Sequence, residues 1–173
     1  MEKYIPDIYQ KSIYAINYDA LYNRGIKCLL FDLDNTIAPV TIKKPNKKVK
    51  ELFDDLKTKG FKVVIFSNSP KTRVKPFKDE LDVDCCAMAM KPFKRKYMKL
   101  LDEYKLNVAS VASIGDQLLT DIKGGNNVGI TPILVNPIGT KENKTTRINR
   151  HFEKKILKKL RDNDLFTKGK YYE

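Results

Sequence analysis

Cysteine is scarce in this chain: Cys28, Cys85 and Cys86 are the only three among 173 residues. An odd count, with the adjacent pair at neither metal-ligand nor redox spacing, argues against a disulfide framework and leads us to expect a reducing, cytoplasmic setting. Long apolar runs are missing as well. The longest fall far short of the ~20 residues that cross a bilayer. No basic segment followed by an apolar stretch opens the chain, so neither a membrane span nor an export signal is expected. Histidine occurs once, at His151, away from every motif described below, and reads as an ordinary surface or boundary residue. No internal repeat or long linker interrupts the sequence. One domain over residues 1–173 is expected, and 42% hydrophobic residues suffice for a sizeable core.

Positive charge is what the chain has in excess. Its net charge of +13 asks for an anionic partner, but the distribution says more than the total. Residues 1–40 carry −1, 41–110 carry +9, 111–140 carry −1 and 141–173 carry +6. The two slightly acidic segments hold "DLDNT" and "GDQLLTD" inside a basic body. Solvated helix faces and an anion-attracting surface both account for the lysines.

Five short apolar runs read as strands: "IKCLLFDLD", "FKVVIFSNS", "CCAMAM", "VASVASIGD" and "ITPILVN". Their near-continuous apolar character means burial on both faces, the mark of a parallel sheet. Between them, "NKKVKELFDDLKTKG" sets Val49, Leu52, Phe53 and Leu56 at helical spacing and stops at Gly60. "KPFKRKYMKLLDEYKL" sets Phe93, Tyr97, Leu100, Leu101 and Tyr104 on one face. The glycine pair of "GGNN" at 124–127 reads as a helix stop, since it lacks both nucleotide-loop fingerprints. Alternating strands and helices imply right-handed βαβ units, hence an α/β fold with a doubly wound parallel sheet and flanking helices.

In such sheets, ligands bind beyond the carboxyl ends of the strands. Asp32 and Asp34 end the first central strand, Ser67 and Asn68 the second, and Asp116 the one beginning near Val108, with Lys91 following "CCAMAM". Crowded carboxylates take up protons unless a cation neutralises them, and a small set of hard oxygens suits Mg²⁺. Such a cluster can support attack of a carboxylate on phosphorus, with a second carboxylate as general acid and base. Duller readings of each motif exist. A calcium loop at "DLDNT" fails because its sixth position is Ile37 and its twelfth Lys43. A receiver domain fits the second acid and "GDQLLTD" poorly. "SNS", Lys91 or "GDQLLTD" taken alone would each be unremarkable, whereas the ordered set at strand ends is not.

"DLDNT" at 32–36, "SNS" at 67–69, "KP" at 91–92 and "GDQLLTD" at 115–121 resemble motifs I to IV of the haloacid dehalogenase (HAD) phosphatase superfamily. The resemblance implies an HAD-like Rossmannoid fold, Asp32 as nucleophile and Asp34 as general acid/base. It implies Ser67, Lys91 and, through backbone or amide, Asn68 as phosphate ligands. Mg²⁺ would be held by Asp32, Asp116 and the backbone carbonyl at Asp34, with Asp121 in support. The acid at Asp34 disfavours dehalogenation. Neither gap between the motifs has room for a sizeable cap domain, so the site should be open to substrates whose bulk stays outside. The fuller pattern, from "YIPDIYQKSIYAINYDALYNRGIK" through "DLDNTIAP" to "GDQLLTDIKGGNNVG", resembles the YqeG group of subfamily IIIA, which is similar to mitochondrial phosphatidylglycerophosphatases. The implied substrate is phosphatidylglycerophosphate, in phosphatidylglycerol and cardiolipin synthesis. Alternatives are a protein, a nucleic-acid end or a soluble phosphate as substrate, or a non-catalytic binding module. The intact acids speak against that last one.

Two flanking segments bear on a lipid substrate. An N-terminal arm, about 1–25, holds five tyrosines in its first 22 residues, interleaved with Ile5, Ile8, Ile13, Ile16 and Leu21. It suits a membrane interface, or an arm folded over the domain's apolar surface. A basic helix, about 147–161, carries Ile148, Phe152, Ile156, Leu157 and Leu160 on one stripe, with Arg147, Arg150, Lys154, Lys155, Lys158, Lys159 and Arg161 opposite. It can lie on anionic lipid at the inner membrane face or cap the sheet with its charges in water. No nucleic-acid-binding motif accompanies the charge, so no nucleic-acid partner is expected.

Overall fold

The computed structural model describes all residues, Met1–Glu173. Six strands, β1 (Ile8–Gln10), β2 (Cys28–Phe31), β3 (Lys62–Phe66), β4 (Asp84–Cys86), β5 (Val111–Gly115) and β6 (Thr131–Val135), form one sheet. Its order is β1-β6-β5-β2-β3-β4, and every pairing is parallel. The chain runs outward from β2 through β3 to β4, then returns to β5 on the other side of β2. The reversal between β2 and β5 opens a crevice at their carboxyl ends, where ligands bind in doubly wound sheets.

Helices cover both faces. The α1 (Tyr18–Asn23), α2 (Lys47–Thr58) and α3 (Lys71–Leu81) helices bury Leu21, Phe53, Leu56, Val74 and Phe77 against Leu29, Phe31, Val63 and Ile65. Alternate strand residues Leu30, Val64 and Phe66 face the other way and meet Tyr97, Leu100 and Leu101 of α4 (Lys94–Glu103). Along α2, Asn46 accepts the Val49 N–H at 2.9 Å and starts the helix. Gly60, at φ +102, turns the chain into β3. The apolar positions expected on α2 and α4 meet the sheet, with one correction: Phe93 is exposed. It sits at the extended N-cap of α4, before helical periodicity begins. The run from Val108 also starts as a 3₁₀ turn, and strand geometry begins only at Val111.

"GGNN" is a further correction, because it lies inside α5 (Lys123–Val128) and the helix ends at Gly129, φ +83. Both glycines are there for close packing. A Cβ would stand 2.6 Å from the Tyr97 hydroxyl at Gly124 and 2.7 Å from Ser113 Oγ at Gly125.

The N-terminal arm folds into the domain. Ile8, Tyr9, Ile13, Ile16, Tyr18 and Leu21 are buried, and β1 adds an edge strand beside β6. The C-terminal Tyr172 then exchanges backbone hydrogen bonds with Tyr9, both 2.9 Å. Tyr9 and Tyr18 are thus buried in the domain, while Tyr4, Tyr14 and Tyr22 are half-buried against it. At the other end, α6 (Lys144–Asp162) docks Leu160 beside Tyr9, Leu118, Ile122 and Leu134. Its opposite end leaves Ile148 and Phe152 exposed. No helix is long and apolar enough to cross a membrane.

Candidate active site

After Phe31 the chain leaves the sheet and turns tightly: Leu33 C=O accepts from the N–H groups of Thr36, Ile37 and Ala38. Asn35 takes φ 61 to make the turn. The loop folds Thr36 back under the strand end, so that its buried hydroxyl lies 3.2 Å from Asp32 Oδ2 and 3.1 Å from Asp116 Oδ1. One hydroxyl proton cannot satisfy two ionised carboxylates at once.

Lys91 reaches the same point from the loop after β4. Its buried ammonium donates to Asp32 Oδ1 at 2.8 Å and Asp121 Oδ1 at 2.6 Å. Asn68 fixes that loop by a reciprocal pair: its Oδ1 accepts the Lys91 N–H at 2.7 Å and its Nδ2 donates to the Lys91 carbonyl at 3.1 Å. The Asn68 side chain thus holds Lys91, leaving the backbone N–H as its means of reaching a phosphate. Asp121 sits in a π-helical turn, Leu118–Ile122, and its second oxygen accepts the Gln117 N–H at 3.1 Å. Gly115 makes that approach possible, since a Cβ there would stand 2.1 Å from Asp121 Cγ.

The electrostatics follow from burial. Asp32, Asp116 and Asp121 are all buried and bring ligand oxygens within 4.8 Å of one another. Burial pushes Asp32 up to about 6, against the pull of Lys91. Burial and the Asp32 charge raise Asp116 well above the usual carboxylate range, with Arg150 opposing. Burial alone would lower Lys91, but Asp121 and Asp32 more than offset it and hold its ammonium charged. The three carboxylates face the Lys91 ammonium, while the Arg150 guanidinium beside Asp116 is shared with Glu142 and Glu153, so the ionised group carries a negative surplus. A divalent cation neutralises that surplus, and an all-oxygen donor set suits Mg²⁺. The residues therefore fit the cofactor their sequence implies, although the buried trio includes Asp121 and not the Asp34 carboxylate.

Asp34 turns toward α3. Arg73 Nε donates to its Oδ1 at 2.9 Å and Ser69 Oγ to its Oδ2 at 2.5 Å. Arg73 in turn binds the carbonyls of Ile42 and, at 3.2 Å, Pro39, fastening the loop after Asp34 to α3. Ser67 is buried, and its Oγ accepts the Ser69 N–H at 3.1 Å, which leaves the hydroxyl proton for another acceptor.

Arg150 corrects the sequence reading most sharply. Expected on the charged outer face of α6, it lies inward. Its guanidinium donates to the Asp116 carboxylate, to the Asp116 carbonyl at 2.8 Å, to Glu142 at 2.8 Å and to Glu153 at 2.9 Å. Buried Glu153 also accepts the Leu119 N–H at 3.1 Å. The helix is thereby clasped to the Asp116–Leu119 loop, and its first turns wall the cavity above Asp32.

That cavity, about 240 Å³, joins Asp32, Asp34, Ser67, Asn68 and Lys91 on one side to Gln117, Asn143, Thr145, Thr146 and Asn149 on the other, with no hydrophobic residue in its lining. Every expected site residue thus lies in the cavity or in the buried acid cluster beneath it. Sequence reasoning missed Thr36, Arg73 and Arg150 as site residues. Thr36 closes the "DLDNT" motif, but nothing local distinguishes Arg73 or Arg150 from the chain's many other cations.

Comparison with known proteins agrees with this geometry. The model of the haloacid dehalogenase-like hydrolases matches residues 40–129, the span carrying Ser67, Lys91, Asp116 and Asp121. A Bacillus subtilis (strain 168) protein described as "Probable phosphatase YqeG" is 35% identical over 158 residues, 91% of this chain and 92% of that one. The structure of the 3-deoxy-D-manno-octulosonate 8-phosphate phosphatase from Moraxella catarrhalis, in complex with magnesium, phosphate and KDO, aligns with a TM-score of 0.54 at 19% identity. It covers 70% of this chain and 75% of that one. A subfamily III A HAD hydrolase from Legionella pneumophila aligns at 0.52 and 20% identity over 71% and 75%. The structural likenesses speak for the fold and the sequence matches for the family: the chain belongs to the haloacid dehalogenase-like hydrolases, as an enzyme of their phosphatase type.

Proposed function

We propose that this enzyme hydrolyses a phosphomonoester through an aspartyl-phosphate on Asp32, and that its substrate is phosphatidylglycerophosphate presented by a membrane. The observation that carries the reading is the position of the Asp32 carboxylate, at the foot of a small cavity lined, apart from Pro70, by polar and charged residues, with Lys91 at 2.8 Å. A phosphoryl group entering there meets the Lys91 ammonium, the Ser67 hydroxyl and the Asn68 backbone N–H. An Asp32 oxygen attacks phosphorus as the ester P–O bond breaks, and Asp34 gives its proton to the departing alkoxide. Asp34 then takes a proton from water as that water attacks the acyl phosphate, releasing inorganic phosphate and restoring Asp32. Asp32 and Asp116, with the backbone carbonyl at Asp34, would hold Mg²⁺, which supplies charge neutralisation at the phosphoryl oxygens.

Lipid is favoured by what surrounds the opening. Met88, Met90 and Phe93 are exposed beside Lys94 and Arg95, next to the Ser67 and Lys91 loops. Ile148 and Phe152 are exposed on α6 beside Lys144, Arg147 and Lys155. Apolar side chains set among cations suit an anionic bilayer, where each basic residue near the surface contributes about 1 kcal/mol. The acyl chains stay in the bilayer and only the headgroup enters, as the cavity's size requires. The test compares phosphate release from phosphatidylglycerophosphate in vesicles with release from soluble phosphomonoesters. We expect a strong vesicle preference that Asp32→Asn abolishes, and equal rates on both would remove the lipid assignment. A soluble polyol phosphate is the second reading, favoured by the same amide and hydroxyl side chains in the lining.

A further inference from the structure

We propose that α6 forms a leaving-group subsite for the uncharged, hydroxyl-bearing part of the alcohol next to the scissile bond, such as a glycerol unit, with any further charge lying outside the cavity; the inference rests on the phosphatase reading of Asp32 and deepens it. The half of the cavity away from Asp32 is lined by Gln117, Thr120, Asn143, Thr145, Thr146 and Asn149. All six carry an amide or a hydroxyl, and none is charged or apolar. Each can both donate and accept, which matches a polyol, whose hydroxyls do the same. A carboxylate or ammonium on the leaving group would find no opposite charge in this wall, and an aryl or alkyl group would leave several polar groups without partners.

The wall is fixed in place. Arg150 and Glu153, one turn further along α6, bind the backbone of Asp116 and Leu119, so the subsite is tied to the loop that holds the acid cluster. Within it, Asn149 Nδ2 meets Gln117 Oε1 only at 3.4 Å. That contact leaves Gln117 Nε2 and Asn149 Oδ1 without a partner in the pair, a donor and an acceptor set side by side. A cap domain, the usual means of enclosing a small substrate, is not needed if the C-terminal helix reads the alcohol.

Binding to the turnover-dead Asp32→Asn protein tests this without catalysis. Calorimetry with inorganic phosphate, glycerol 3-phosphate and phenyl phosphate separates phosphoryl recognition from recognition of the alcohol. We expect glycerol 3-phosphate to bind about tenfold or more tightly than phenyl phosphate, an increment of one or two hydrogen bonds. Adding Gln117→Leu, or Thr145→Val with Asn149→Leu, should erase that preference while inorganic phosphate still binds. Gln117→Leu lies outside α6, so it reports even if the helix variants unfold. Binding of inorganic phosphate with no polyol preference, or a preference that survives both sets of substitutions, overturns the subsite and leaves the phosphatase reading standing. Absence of phosphate binding altogether would overturn both.

Discussion

Removing Asp32's charge should flatten the pH dependence of stability in metal-free protein. Its carboxyl is pushed up to about 6 from an ordinary 3.8, because burial costs more than Lys91 returns. A folded-state value above the unfolded one means stability that is whole below pH ~4 and lost as pH rises through ~6. A displacement of roughly two units is worth about 3 kcal/mol. For a chain of this size that corresponds to about 6–12 °C in Tm, at about 2–4 °C per kcal/mol. The assay is urea unfolding of wild type and Asp32→Asn in chelator, at about pH 4.5 and about pH 7.5. Taking the difference of the two pH slopes cancels groups that titrate alike in both proteins. Wild type should lose about 2 kcal/mol more than the variant over that interval, since part of the displacement lies below pH 4.5, and saturating Mg²⁺ should restore most of it by binding only the folded form. Equal slopes in the two proteins would refute the claim that a buried surplus of negative charge sits at this strand end.

Lys91→Met should cost about 3–5 kcal/mol in urea unfolding, since it leaves two buried carboxylates without their cation; a loss below about 1 kcal/mol would contradict the buried network. Gly115→Ala puts a methyl 2.1 Å from Asp121 Cγ. It should cost about 1–3 kcal/mol and weaken Mg²⁺ binding by calorimetry, because Asp121 must leave Lys91. Arg73→Met frees the Asp34 carboxylate from α3, and steady-state kinetics should show kcat reduced by about a hundredfold, the effect of a small misplacement of a reacting group.

Much of the fold was legible because parallel strands are buried on both faces, and runs such as "CLLF" and "KVVIF" declare that burial without reference to their neighbours. The acids were legible for the opposite reason: carboxylates ending apolar strands are too costly to be there by accident. What escaped was set by tertiary contact. β1 is three residues long and is a strand only because β6 and Tyr172 lie on either side of it. Gly124 and Gly125 read as a stop because their helix-breaking tendency is local, while the close approach of Tyr97 and Ser113 that demands them is not. Arg150 belongs to a basic helix by sequence. Only the docking of α6 onto the Asp116 loop shows that this arginine faces inward while Arg147 and Lys154 remain exposed.

Whether a covalent phosphoryl group forms on Asp32 is decided most directly by chemical trapping. Protein turning over a phosphomonoester with Mg²⁺ is quenched and treated with borohydride, which reduces an acyl phosphate to the alcohol. Peptide sequencing should then find homoserine at position 32 in wild type and none in Asp32→Asn. Steady phosphate release with an unmodified aspartate at position 32, or with homoserine at Asp34 instead, would contradict the account.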